Sequence, residues 1–189
     1  MKFASVLLSL LLLIVFCNPA KSESMIPLSI QDMESRFYEN GKPLADSDSY
    51  KSKNGFGIGL HMTDDESIYK TWQKPEPPKI NVTSKAIRNK PFTTLMIFSN
   101  PGIDSESNAD VTADVRVINP DGTIALDKKD LEIWKRKYTT PRNHAQIALG
   151  SIRVIFNEED QNGIYTIEAI VKDRIKGITL DLRTNITLE

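Results

Sequence analysis

The stretch "NGIYTIEAIVKDRIKGITLDLRTNITLE", residues 162–189, decides the fold. Two alternating runs lie back to back in it. Tyr165, Ile167, Ala169 and Val171 share one face of the first, and Ile178, Leu180, Leu182, Ile186 and Leu188 share one face of the second. Period two with one apolar face is the pattern of a half-buried strand. "KDRIKG" between them reads as a hairpin loop with glycine near its end. A slip of one residue would expose every one of those apolar side chains, so the register is strongly specified.

The same pattern extends towards the N-terminus. "ADVTADVRVINPDG" (109–122) puts Val111, Ala113, Val115 and Val117 on one face and Thr112, Asp114 and Arg116 on the other. Its "NPDG" is a turn, since Pro120 pre-sets φ and Asp121-Gly122 tolerate the corner. "TIAL" then returns as a strand, and "SIRVIFN" (151–157) alternates again. "PFTTLMIFSN" (91–100) is nearly continuously apolar, as a strand buried on both faces would be. No helical period appears after residue 80. Short strands with regular turns predict an all-β, antiparallel β-sandwich.

Before residue 79 the pattern differs. "GFGIGLHM" (55–62) predicts a short strand whose glycines admit a second backbone. Its glycines are spaced by two, unlike a phosphate-binding loop. Thr63 and Glu66 have capping-box spacing, which predicts a helix from Asp64 with Ile68 and Trp72 on one face. "QKPEPPK" (73–79) is a proline-rich, extended connector. Residues 23–54 are polar, and a helix over 29–40 competes there with a loose arm.

At the very start, Met1-Lys2 precede a leucine-rich run to Phe16, and Ala20 and Ser22 are the small residues of a cleavage site. That is the layout of a secretory signal peptide, cut between Ser22 and Glu23. The run is too short for a spanning helix, so no membrane insertion is expected after cleavage. Phe16 before Cys17 argues against lipidation. Cleavage takes Lys2 and Lys21 with it, moving the formal net charge from −1 to −3. Near-neutral charge gives no footprint for nucleic acid or anionic lipid. The single cysteine, Cys17, leaves with the leader. Disulfides, thiol catalysis and cysteine-based zinc sites are thereby excluded from the mature chain. The expected layout is a signal peptide (1–22), an N-terminal appendage (23–78) and a sandwich domain (79–189). The periplasm is the expected compartment, with secretion as the alternative. Asn81-Val82-Thr83 and Asn185-Ile186-Thr187 match the glycosylation triplet, which matters only in a eukaryotic route.

Two resemblances add to this reading. "DQNGIYTIEAIVKD" resembles the penultimate strand of immunoglobulin-like domains. That implies a tyrosine corner at Tyr165, its hydroxyl bonding back to the preceding loop. Ile167 stands where antibody-type domains carry a disulfide cysteine, so a cysteine-free bacterial relative fits. Further, "FGIGLHMTDD", "TWQKP", "FSNPG", "ADVTADVRVINPDG" and "VKDRIKGITLDLRTNITL" resemble a family of exported bacterial proteins of uncharacterised activity, over about residues 55–189. The resemblance implies a periplasmic immunoglobulin-like fold and no particular reaction.

Four clusters could carry chemistry. His61 lies beside Met62, Asp64, Asp65 and Glu66, and copper carriers on β-sandwiches use histidine and methionine. The competing account is a strand end whose acids complement a helix N-terminus. "DSESNAD" (104–110) spaces oxygen ligands as calcium loops do, but Ala109 replaces the needed glycine and Val115 the final glutamate. A solvated loop is the expectation there. His144, in "TTPRNHAQIAL", lacks any nucleophile elbow. "KKDLEIWKRKY" (128–138) interleaves Trp134 and Tyr138 with cations, which could stack on bases or sugars. Lysines are also the usual guard of an exposed edge strand, and that reading is preferred. No catalytic, metal or cofactor residues are assigned. The functional expectation is a non-enzymatic module contacting an envelope protein through edge strands and loops. The alternative is a small envelope enzyme or metal carrier using His61 or His144 with nearby carboxylates.

Overall fold

The computed structural model describes residues 38–39, 42–65, 67–72, 80–141 and 144–189. The signal peptide, the Ser22–Glu23 junction and the connector 73–79 lie outside the described residues. So does most of the helix expected over 29–40; within that span Tyr38–Glu39 is strand β1, paired with β2 (Lys42–Pro43).

Two sheets face each other, and the fold is an antiparallel immunoglobulin-like sandwich. Sheet 1 has the order β10–β6–β4–β3, made of β3 (Tyr50–Lys53), β4 (Phe56–Thr63), β6 (Pro91–Ser99) and β10 (Arg153–Ile155). The short β9 (Gln146–Ile147) also pairs with β6, opposite Phe98 and Ile97. Sheet 2 has the order β5–β12–β11–β7–β8. Its strands are β5 (Lys85–Ala86), β7 (Asn108–Ile118), β8 (Ile124–Lys137), β11 (Gly163–Asp173) and β12 (Ile178–Leu188). All pairings are antiparallel except that of β5 with β12.

The alternation read from the sequence decides which side chains meet. Val111 to Val117, Tyr165 to Val171 and Ile178 to Leu188 line the inner face of sheet 2 at every second position. Phe56, Ile58, Leu60 and Met62 of β4 and Phe92, Met96 and Phe98 of β6 oppose them in one core. The β11–β12 register is unbroken over all eleven pairs from Gly163↔Leu188 to Asp173↔Ile178. The β7–β8 loop closes as the "NPDG" motif requires: the Gly122 N–H donates to Asn119 C=O, with Gly122 at φ +86°.

Strand β6 is buried on both faces because sheet 1 carries a second apolar layer outside. Leu95 and Ile97 pack there with Ile68 and Ile147, flanked by Tyr69, Trp72 and Ile80. Helix α1 (Ile68–Thr71) thus places Ile68 and Trp72 on one face against β6.

Three expectations need correction. The sandwich does not begin at residue 79: β4 is interior to sheet 1 and its four large side chains are fully buried, so residues 50–63 belong to the domain. The proline-rich connector interrupts the chain within the domain, not before it. Secondly, α1 starts at Ile68 rather than Asp64, with Ser67 at its N-cap and no side-chain cap bond. The Thr63 hydroxyl donates to Asn81 C=O (2.8 Å) and accepts the Asp65 N–H (3.1 Å). Glu66 lies outside the described residues. Thirdly, the open side of Gly59 receives a side chain, not a backbone. A Cβ built there would stand 2.8 Å from His61 Nε2.

Candidate recognition site

The end strands of the two sheets, β8 and β10, meet along one side of the sandwich. The segment leading into β10 touches β8, where the Leu149 N–H donates to Ile133 C=O (3.0 Å). Gly150 lies so close that a Cβ would sit 2.2 Å from Glu132 O. Towards the start of β8 the strands part. A cleft of about 290 Å³ opens there, lined by Val117, Leu126, Ile152, Val154, Phe156 and Tyr165, with Asn119, Arg153, Ile155 and Asp160 also on its walls. Ile124 and Ile155 stay 54% and 53% exposed, so apolar surface continues outside it.

Strand β8 is kept from following β10 by bulges against β7. Val111 pairs with Trp134 but Thr112 with Glu132, leaving Ile133 as an extra residue. Both Ile133 and Trp134 therefore turn inward and are buried. Ala113 pairs with Leu131 and Val115 with Lys128, so Asp114 faces two residues. One of them, Asp130, has φ +47° and donates its N–H to Asp114 Oδ1 (3.0 Å). Bulges of this kind bend and twist an edge away from pairing. That N–H, followed by the Lys172 ammonium at 2.9 Å, holds the Asp114 carboxyl below its ordinary range.

One end of the cleft is fixed by the loop before β11. The Tyr165 hydroxyl donates to Gln161 C=O four residues upstream (2.9 Å), and its ring lies 4.3 Å from that of Phe156. Burial raises the Tyr165 pKa, and the negative charges of Asp160 and Asp121 add to this against Arg88. Gly163, at φ +142°, lets Pro120 close in: a Cβ would be 2.8 Å from Pro120 Cβ. Arg88 pins the same loop, donating to the carbonyls of Asn157 and Asp160 and to Asn162 Oδ1. At the opposite end of the sandwich Asp173 is buried and accepts three N–H groups, from Gly102 (2.6 Å), Ile175 (3.1 Å) and Lys176 (2.9 Å). The sequence singled out neither Arg88 nor Asp173. Their partners lie in distant loops, and no local pattern marks them.

The structure spreads the other candidates apart. His61 points outward from β4, half-buried over Gly59, where desolvation lowers its pKa. His144 is exposed and precedes β9. His61 pairs with Leu95 and Gln146 with Phe98, so β6 separates them laterally and three residues, about 10 Å, separate those rungs along it. Asp65 accepts both the hydroxyl and the N–H of Ser67. Asp104 is likewise occupied by its own loop, accepting the N–H groups of Glu106 and Asn108. Among the described residues no three His, Cys, Asp or Glu side chains converge as a metal-binding group. Trp134 and Tyr138 do not form a stacking surface: both are buried in the core with Phe98, and Arg136 covers the indole at 4.8 Å. The expected edge position of residues 128–137 holds, since β8 ends sheet 2.

A larger hollow of about 560 Å³ lies on the outer face of sheet 2. Asp48, Glu168 and Asp181 line it against Lys51, Arg116 and Arg183, a balanced set in which Arg116 already pairs with Glu168 at 2.9 Å. Among the described residues no helix is long and apolar enough to cross a membrane.

Fold and surface together define an all-β immunoglobulin-like sandwich with one side open between its end strands. No family model matches the chain, and no curated protein matches it. Among solved structures it is similar to a family 123 glycoside hydrolase from Clostridium perfringens, at 12% identity and a TM-score of 0.40, over 70% of this chain. The chain spans 27% of that hydrolase. It is also similar to the CARDB domain of a Pyrococcus furiosus protein, solved in complex with di-metal ions. There the identity is 12% and the TM-score 0.36, over 81% of this chain and 99% of that one. Likeness of this degree carries no assignment of activity, substrate or metal.

Proposed function

We propose that the protein is an exported, non-enzymatic interaction module of the bacterial periplasm that contacts an envelope protein through its edge strands and loops. The observation that carries this reading is the cleft between β8 and β10, where core side chains such as Leu126 and Val154 reach the surface beside two end strands. End strands offer main-chain groups to a partner, and a neighbouring apolar groove offers pockets for its alternate side chains. Export rests on the leucine-rich leader ending at Ala20-Lys21-Ser22. Terminal sequencing of the envelope-fraction protein should begin at Glu23; an intact Met1 or a lipid-modified Cys17 would overturn export.

Contact is tested by a photo-crosslinking residue placed in living cells at Ile155, beside the cleft, or at the exposed Thr179 on the outer face of sheet 2. A discrete adduct with an envelope protein from position 155 alone is the expected result. Equal adducts from both positions, or none from either, would overturn the reading.

A further inference from the structure

We propose that the β8–β10 cleft takes a short extended peptide segment, apolar at alternate positions and basic at the end that lies beside Asp160 and Asp121. The inference rests on the interaction-module reading and adds the chemistry of the partner.

Three observations carry it. The first is size: about 290 Å³ falls at the lower limit of small-molecule pockets. It suits one or two side chains of a peptide whose remainder runs along the strands. The second is the wall. Val117, Leu126, Val154 and Phe156 are inward-facing residues of three segments, β7, β8 and β10 with its continuation, so alternate apolar side chains of an added strand continue the core packing. The bulged β8 disfavours regular pairing, whereas β10 keeps an even register with β6 across Arg153, Val154 and Ile155. The added strand therefore runs along β10.

The third is charge. Asp160 lines the cleft beside Tyr165, and Asp121, from the β7–β8 turn, acts on the same phenol. Glu159 is exposed in the same loop as Asp160. The nearest cation, Arg88, is engaged with Asn157, Asp160 and Asn162. Arg153 on β10 is the cation that lines the cleft away from the Tyr165 end. An extended segment with a cation at the Tyr165 end complements Asp160 and Asp121 there.

The probes are two synthetic peptides, acetyl-Lys-Val-Thr-Val-Thr-Val-amide and the same peptide with Glu in place of Lys. They are titrated into isotope-labelled full-chain protein and followed by amide chemical shifts. The lysine peptide should shift Leu126, Val154 and Phe156 and bind about fivefold tighter than the glutamate peptide. That preference should vanish in the Asp121→Asn/Asp160→Asn variant, in which each side chain keeps an acceptor for its own loop. Equal affinities, shifts confined to other surfaces, or no binding by either peptide would overturn the proposal. If neither peptide binds while Ile155 still crosslinks to an envelope protein, this inference fails and the interaction-module reading stands.

Discussion

Single residues at the ends of the sandwich do more than fill space. Tyr165 is 2% exposed, and its hydroxyl spends its proton on Gln161 C=O. Tyr165→Phe deletes that bond without emptying the core, so a loss of about 1 kcal/mol is expected in a urea melt. An unchanged midpoint would contradict the bond. His61 gives a pH signature. Its folded pKa lies below the ordinary 6.5 because burial disfavours the cation. The unfolded chain therefore binds the proton first. The stability tied to the neutral imidazole is complete above pH 6.5 and declines as pH falls through 6.5 towards the folded value. Melts between pH 7.5 and 5.5 should show that decline in the parent protein and a flatter profile in His61→Gln. Identical profiles would mean that His61 is solvated in the folded state.

At the scale of elements, the close approach of β8 to the segment before β10 depends on Gly150. A methyl group there would overlap Glu132 O, a main-chain atom held in the β7–β8 ladder. Gly150→Ala should cost about 2 kcal/mol by overpacking, visible as a lower Tm. No change in Tm would show that β8 and the 148–152 segment move apart freely. Strands β7, β11 and β12 were legible in the sequence because one face of each is buried, which leaves a period of two. The two-sided burial of β6 was legible in its unbroken apolar run. The membership of β4 in the sandwich was not, because Gly57 and Gly59 break its apolar pattern and the connector at 73–79 imitates a domain boundary. The β8 bulges were illegible for another reason: Ile133-Trp134 and Asp130 acquire their roles only opposite Val111 and Asp114. The cleft shares that limit. Leu126 and Val154 read as ordinary inward-facing residues, Asp121 and Asp160 as turn residues, and only the meeting of two sheets makes them one surface.

The described residues form a sandwich whose interior is filled by its own side chains, with most titratable groups on loops and outer faces and Asp173 buried among loop N–H groups. General acid–base chemistry needs such groups convergent and shielded from water. The described surface instead brings apolar core residues to one open side. The central claim is that recognition at this side, not chemistry at the histidines, is what the protein contributes. Complementation of a deletion strain tests it most directly, with folding checked by thermal melts of each variant. His61→Ala/His144→Ala should restore function fully, whereas Ile155→Asp, at an exposed position beside the cleft, should abolish it with an unchanged Tm. Lost function in the histidine variant at unchanged Tm, together with full activity of Ile155→Asp, would contradict the account.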